Sequence, residues 1–311
     1  MLTKIALRNL WRNKRRSIIT GAAIALGLGM LIFSSGGTDG MTNMMIENAT
    51  SMAAGHVVVQ GAGYQEEPEV EIVVPDSPAV AAELAEALPD ATVLQRVFLD
   101  GLLTSPSGAM GVSVTAIDPT TEVLINDVNE KIVEGEFLDD DPRSIILGKT
   151  LAESLDVALG DKVVLMSQGA GEVESRLFRV RGVLSYGIDE IDGFYALITL
   201  PAAQEMLGLG DDVNQISVHL DSARDTADAT AVAAAAVGGE AVEVLSWQEA
   251  LPAVNEYVVA EKSEIYVMYF IIFVLVCLGI VNPVLMSVLE RMREFGVMLS
   301  LGTTPAQLAK L

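Results

Sequence analysis

The side chains best suited to chemistry are few in this sequence. Two histidines, His56 and His219, and one cysteine, Cys277, are all the imidazole and thiol that its 311 residues contain. A zinc site draws three or four such ligands at short spacings, and no HExxH, CxxC or His–carboxylate pattern occurs. The two histidines fall in separate strand-like runs, far apart in the sequence. A GxxxxGK[ST] phosphate loop is absent, as is a GxSxG nucleophile elbow, so the chain is not expected to bind ATP or to catalyse a reaction alone. Asp139–Asp141 and the Asp189, Glu190, Asp192 group have ligands suited to Ca²⁺ but not the EF-hand spacing. Solvated loop charge is the expectation for both.

The one dense constellation is near the end. Between Glu264 and Glu290 the chain carries no charge, which over about 20 residues is enough to cross a bilayer. Then comes RMREFGVMLSLGTTPAQLAKL, rich in Arg, Glu and Gly. Its pattern predicts a helix, a glycine break at Gly302 and a second short helix from Thr304-Pro305. A charged, glycine-broken helical segment at a membrane edge is a docking surface for another protein.

Those elements must be held by a membrane, and the charge distribution gives the orientation. Of 19 basic and 42 acidic residues, the stretch before Asp39 holds six bases and no acid, and the stretch after Leu289 holds three bases and two acids. The remaining ten bases and forty acids leave the middle at −30. Lys and Arg flanking spans stay on the cytoplasmic side, so both ends are expected in the cytoplasm and the acidic middle outside. That acidity also excludes nucleic acid as a partner, which needs a basic footprint.

In chain order, residues 1–16 predict a basic amphipathic helix at the inner interface, with Trp11 as its anchor. Residues 17–38 carry no charge and predict the first span, too long for the apolar part of a signal peptide. Gly21, Ala25 and Gly29 recur at the small-residue spacing that lets two spanning helices approach closely. The helix is expected to continue to Gly55, with Met41, Met44, Met45, Ala49 and Met52 along one stripe. Such a methionine stripe is ordinary core, or an adaptable surface for apolar ligands.

From His56 to Trp247 short strands and helices alternate, which predicts an α+β extracytoplasmic domain over residues 39–262, in two lobes that divide near 134–141. Ser105–Gly108 reads as a hairpin turn, and SIILGKTLAESLDVALGDKVVLM as strand, helix, strand. From Trp247 a single helix is expected to run unbroken into the second span, 263–289, with a kink at Asn282-Pro283. Residues 290–311 remain as the cytoplasmic segment.

Four stretches together resemble the ABC transporter permeases. They are KIALRNLWRNKRRSIITGAAIALG (4–27), GHVVVQGAGYQ (55–65), ILGKTLAESLDVALGDKVVL (146–165) and VLERMREFGVMLSLGTTPAQL (288–308). The group includes the lipoprotein-releasing, macrolide-exporter and FtsX-like permeases, and GHVVVQ looks closest to the first. The resemblance implies an inner-membrane permease dimer, of two copies or of paralogues, bound to cytoplasmic ATPase subunits that hold ATP and Mg²⁺. It implies that Arg291, Arg293, Glu294, Gly296, Gly302, Thr304, Pro305 and Leu308 belong to the segment that couples to the ATPase. It also implies a cleft between protomers, lined by Leu28, Ile32, Met41, Met44, Met45 and Val267, for a lipoprotein or other membrane amphiphile. Export with a periplasmic adaptor or carrier and cargo-free signalling to a periplasmic partner are the alternatives. Permeases of this group have four spans, and the third and fourth are absent from this sequence.

Overall fold

The computed structural model describes residues 14–125, 127–169, 172–220 and 226–309. The helix read over 1–16, with Trp11, therefore lies outside the described residues up to position 13. The chain divides into two compact units, residues 46–255 and a helical unit of 1–45 with 256–311.

The first helix, α1 (Lys14–Ala49), passes directly into a π-helix (Thr50–Ala54). Gly55 ends it with φ 72°, and a Cβ there would lie 2.9 Å from the Val218 carbonyl oxygen. Both the left-handed backbone and the close approach call for glycine. Next come β1 (Val57–Gly61), α2 (Ser77–Ala87), β2 (Thr92–Thr104), β3 (Ala109–Ile117), α3 (Pro119–Glu122), a 3-10 turn (Asp127–Lys131) and β4 (Ile132–Gly135). They are followed by β5 (Ser144–Gly148), α4 (Lys149–Ser154), β6 (Lys162–Gly169), β7 (Glu172–Leu184), α5 (Asp189–Asp192), β8 (Tyr195–Thr199) and α6 (Leu200–Leu207). After β9 (Gln215–His219) come α7 (Thr226–Val237), β10 (Val242–Ser246) and α8 (Trp247–Ala250). The last described elements are α9 (Pro252–Glu290), α10 (Met292–Ser300) and α11 (Pro305–Ala309).

The strands of residues 46–255 lie in the order β10-β1-β9-β2-β3-β8-β5-β7-β4, with β6 pairing both β2 and β7. The fold of this unit is α+β. Pairing is antiparallel except for β3 with β8 and β5 with β7, which run parallel. β2 joins the two halves. Residues 92–96 pair with β9, and residues 97–104 pair with β3. Its buried positions change parity at the hand-over, from Leu94 and Arg96 to Val97, Leu99 and Leu103. Just beyond, the fully buried Asn214 side chain substitutes for a neighbouring strand, accepting from Phe98 N at 3.0 Å and donating to Phe98 O at 2.7 Å.

Two expectations are corrected here. The division near 134–141 does not exist as a boundary. β4 pairs with β7 there, Leu138 is buried with Ile117, Ile146 and Leu197, and Arg181 ties down Phe137 O and the Glu136 and Asp139 carboxylates. Its Gly and acidic residues mimic a linker, but Arg181 neutralises part of that charge. The change of sheet is at residues 96–97 instead. The helix from Trp247 is likewise interrupted. Leu251 leaves helical geometry with φ −122° and ψ 66° because a residue preceding proline is disfavoured in the α region. Beyond it α9 runs without interruption through Pro283 to Glu290.

In the helical unit α1 and α9 pair antiparallel. A Cβ on Gly27 would lie 3.1 Å from the Val276 side chain, and the Thr42 hydroxyl donates to the Glu261 carboxylate. The close approach is at Gly27, not at the expected stripe. Gly21 and Gly29 have nothing within 4 Å, and Ala25 is exposed. Among the described residues, one helical stretch, Pro252–Gly279, is long and apolar enough to cross a membrane.

Candidate functional site

The densest polar arrangement is at the root of α1, inside the α+β unit. Arg96 and Glu122 form a fully desolvated ion pair. Arg96 Nη2 donates to Glu122 Oε1 at 2.6 Å and Nε donates to Oε2 at 3.2 Å, a two-pronged contact. The remaining guanidinium donors reach the π-helix, Nη2 to Ser51 O at 2.9 Å and Nη1 to Met52 O at 3.4 Å. Carbonyls in the last turn of a helix lack an intrahelical N–H donor, and a cation there also complements the helix dipole. Arg96 is thus a cap supplied by the sheet, and it fixes the end of α1 to the point where β2 changes partner.

The roots of the two long helices converge on the same sheet edge. β1 lies between β9 and β10, so the strand following α1 pairs with the strand preceding α8 and α9. Trp247, nearly buried, donates its backbone N–H to His56 O at 3.1 Å, and Leu251 N donates to Trp247 O at 2.8 Å. Glu249 accepts from Ser246 N at 2.8 Å, closing the first turn of α8.

The two histidines, distant in the sequence, stand edge to face with ring centroids 6.3 Å apart, because β1 and β9 are neighbours. His56 Nδ1 accepts from Leu220 N at 3.1 Å, whereas His219 Nε2 is buried without a partner. Among the described residues no group of three or more His, Cys, Asp or Glu is arranged to hold a metal ion. Burial lowers the His219 pKa to about 3, helped by Arg96 and His56, and burial lowers that of His56 too.

This has a consequence for stability. In the folded chain His219 stays neutral above about pH 3, but in the unfolded chain it takes up a proton below its ordinary value of 6.5. Between those values the unfolded state binds the extra proton, so stability falls as pH falls, by up to about 1.4 kcal/mol per pH unit. Unfolding free energies of the wild type and His219→Gln, measured from pH 7 to pH 4, are expected to converge as pH falls. A pH-independent difference between the two would refute the assignment.

The tail residues take the order that the sequence implies. Arg291 sits at the break between α9 and α10, with Phe295 N donating to its carbonyl at 3.0 Å. Arg293, Glu294 and Thr304 are exposed, and Gly296 is inside α10 with nothing within 4 Å of its Cβ position. Gly302, with φ 94°, separates α10 from α11, which Pro305 opens and in which Leu308 is half-buried. Leu28, Ile32, Met41, Met44 and Val267 are each more than half exposed on the helical unit, and Met45 is half-buried. One acidic cluster departs from the solvated-loop expectation. Asp192 is 2% exposed, and its carboxylate accepts from the Ser185 hydroxyl at 2.6 Å and from Tyr186 N at 2.8 Å.

Residues 17–236, from α1 through the sheet to α7, match the MacB-like periplasmic core domain family. The chain belongs to that family. Its curated relatives include the lipoprotein-releasing system transmembrane protein LolC of Neisseria meningitidis serogroup B. That protein is 27% identical over 218 residues, covering 68% of this chain and 52% of its own length. LolC of Xylella fastidiosa strain Temecula1 is 26% identical over 319 residues, covering 97% of this chain and 74% of its own. The chain therefore spans about half the length of the Neisseria relative and about three quarters of the Xylella one. Among solved structures, the periplasmic region of MacB from Actinobacillus actinomycetemcomitans aligns at TM-score 0.44 and 15% identity, covering 61% of this chain and 88% of that one. The extracellular domain of the ABC-type transporter YknZ from Gram-positive bacteria aligns at 0.43 and 16%, covering 56% and 90%. The MacB-like match takes in Arg96, Glu122 and the π-helix, so the cap lies inside the family's own domain. Sequence reasoning passed over Arg96. The available signal was an arginine within the otherwise apolar run VLQRVFL, since a charge in a covered strand must be paired.

Proposed function

We propose that this chain is a permease subunit of an ATP-driven ABC transporter of the cell envelope. In this reading it is an inner-membrane protein with cytoplasmic ends and a periplasmic core domain. It extracts or releases a lipoprotein or another amphiphile, and ATP and Mg²⁺ are held by separate ATPase subunits. The observation that carries the reading is the match to a periplasmic core domain family on a chain whose α9 is a single 39-residue helix. That helix contains the long apolar stretch Pro252–Gly279 and leads to the charged, glycine-broken segment 290–309. At 1.5 Å per residue α9 is about 58 Å long, enough to cross a bilayer and still extend beyond it. The similarity to lipoprotein-releasing system proteins supports this cargo class.

In this mechanism the ATPase displaces segment 290–311, with Arg293, Glu294 and Leu308 in the docking surface. α9 passes the displacement to Pro252, α8 and β10, which pairs with β1 beside the Arg96 cap. In this reading Leu28, Ile32, Met41, Met44, Met45 and Val267 meet the cargo against a second permease copy or a paralogue. A periplasmic carrier or adaptor then takes it onward.

The chain, purified from solubilised membrane, is expected to bring an ATPase with it, and acylated cargo is expected to stimulate that ATPase. Met44→Asp should abolish the stimulation, since an exposed carboxylate repels an acyl chain, while leaving basal hydrolysis intact. Recovery without an ATPase would overturn the permease reading. An ATPase indifferent to acylated cargo but responsive to a periplasmic protein would replace transport with signalling.

A further inference from the structure

His56 is the point at which three elements of the α+β unit are tied together. It follows Gly55, which ends the π-helix, and its backbone N–H donates to Val218 O of β9 at 2.8 Å. Its carbonyl accepts from the N–H of Trp247, the first residue of α8, at 3.1 Å. The ring adds a third bond, with Nδ1 accepting from Leu220 N at 3.1 Å just past the end of β9. The root of α1, the end of β9 and the chain leading to α9 are therefore joined through one residue.

Of these bonds, the one made by the ring can be switched by a proton. A neutral imidazole has one N–H and one bare nitrogen, and the Leu220 donor requires the bare one to be Nδ1. An imidazolium carries N–H on both nitrogens, so neither orientation of the ring leaves an acceptor for Leu220 N. The ring is half-buried, within reach of solvent. Its charged surroundings come from several elements. His219 of β9 stands edge to face against it, with Nε2 buried and unpartnered. Arg96 of β2, paired with Glu122 of α3, acts on His219 as a nearby cation. Glu47 of α1 is the carboxylate that favours a proton on His56, and burial outweighs it, so the His56 pKa lies below 6.5. On α8 the carboxylate of Glu249 is held by Ser246.

We propose that His56 is a proton-operated latch: its neutral ring holds Leu220 N and closes the joint between β1, β9 and α8, and uptake of one proton by the ring releases it. The latch belongs to the α+β unit and needs neither ATPase nor cargo, so the inference goes beyond the transport reading and stands or falls separately. In the open joint the ring is hydrated and titrates near its ordinary 6.5, above its value in the closed joint. Below pH 6.5 the open form therefore holds a proton that the closed form lacks, and acid favours opening.

Amide hydrogen exchange of the full chain in detergent tests this at pH 7 and pH 5, with each rate divided by the intrinsic rate at that pH. Overlapping peptides map protection at Leu220 and Trp247, which is expected to fall by up to about 25-fold on acidification. That is the limit for one proton and an open-state value near 6.5. Protection there should stay below that of the buried Ile146 in β5 at both pH values, the mark of a local opening and not a global one. His56→Asn presents an amide oxygen where Nδ1 stood but does not titrate, so Leu220 should be protected equally at both pH values. His56→Phe has no acceptor and should be open at both. His219→Gln should keep the pH dependence, because the latch atom belongs to His56. Protection at Leu220 that does not fall between pH 7 and pH 5, or a fall that persists unchanged in His56→Asn, would overturn the proposal.

Discussion

Arg96→Met is expected to lower the melting temperature of the α+β unit by roughly 6–20 °C. Breaking a buried pair from one side costs about 3–5 kcal/mol, because the carboxylate left behind is desolvated without a countercharge. In domains of 150–250 residues each kcal/mol moves the midpoint by about 2–4 °C, and this unit spans residues 46–255. The substitution also strips Ser51 O and Met52 O of the donors that end the π-helix. Glu122→Gln should cost less, since the amide still accepts from Arg96. The Arg96→Met, Glu122→Leu double variant should recover part of the loss, as an apolar pair of similar size leaves no orphan charge. Thermal melts of the three variants check this order. If Arg96→Met melted within about 2 °C of the wild type, the guanidinium would not be the fixture that the geometry indicates. The prediction reaches function too. With its cap gone, α1 loses its tie to the hand-over point of β2, so cargo-stimulated activity should fall at temperatures where the sheet is still folded.

Much of the fold could be read because its signals are local. The Ser105–Gly108 turn between two β-rich runs gave the β2–β3 hairpin, and Gly148 and Gly160 framed the strand–helix–strand of residues 144–169. Gly302 and Pro305 marked the end of α10 and the start of α11 for the same reason. What escaped depends on partners distant in sequence. Arg96 and Glu122 are 26 residues apart, and the π-helix carbonyls lie about 45 residues before Arg96. His56 and His219 meet only because β1 and β9 are neighbours, a pairing across more than 150 residues that no local pattern encodes. Asp192 looked like loop charge because its two donors, in Ser185 and Tyr186, are ordinary residues. Gly27 and the Gly21, Ala25, Gly29 stripe share α1, and only the position of Val276 tells which face α9 takes. The break at Leu251 was the exception. Pro252 marks it locally, but the apolar period runs across the proline and masks the break.

Gly302→Pro is expected to uncouple the tail from the rest of the chain while leaving the α+β unit intact. Three effects act together at this position. Gly302 has φ 94°, and proline is locked near −65°, so the backbone must turn by well over a right angle. Proline also lacks the N–H that Gly302 donates to Leu299 O at 3.1 Å, the bond that closes α10. Finally, Leu301 is in a near-helical conformation, φ −86° and ψ 6°, which a following proline disfavours. None of these is a clash, since a Cβ at Gly302 meets nothing within 4 Å. The energy goes into redirecting α11 rather than into unfolding a core. On the permease reading, ATP hydrolysis should persist while cargo release drops more than about tenfold, a loss of at least ~1.4 kcal/mol in coupling. Gly296→Ala is the contrasting case. It lies inside α10 with open space around it, and alanine should favour the helix by about 0.5–1 kcal/mol. A stable tail with Gly296→Ala that still releases cargo, next to an uncoupled Gly302→Pro, would assign the function to the direction of α11. Equal release by Gly302→Pro and the wild type would show that the direction of α11 carries no coupling.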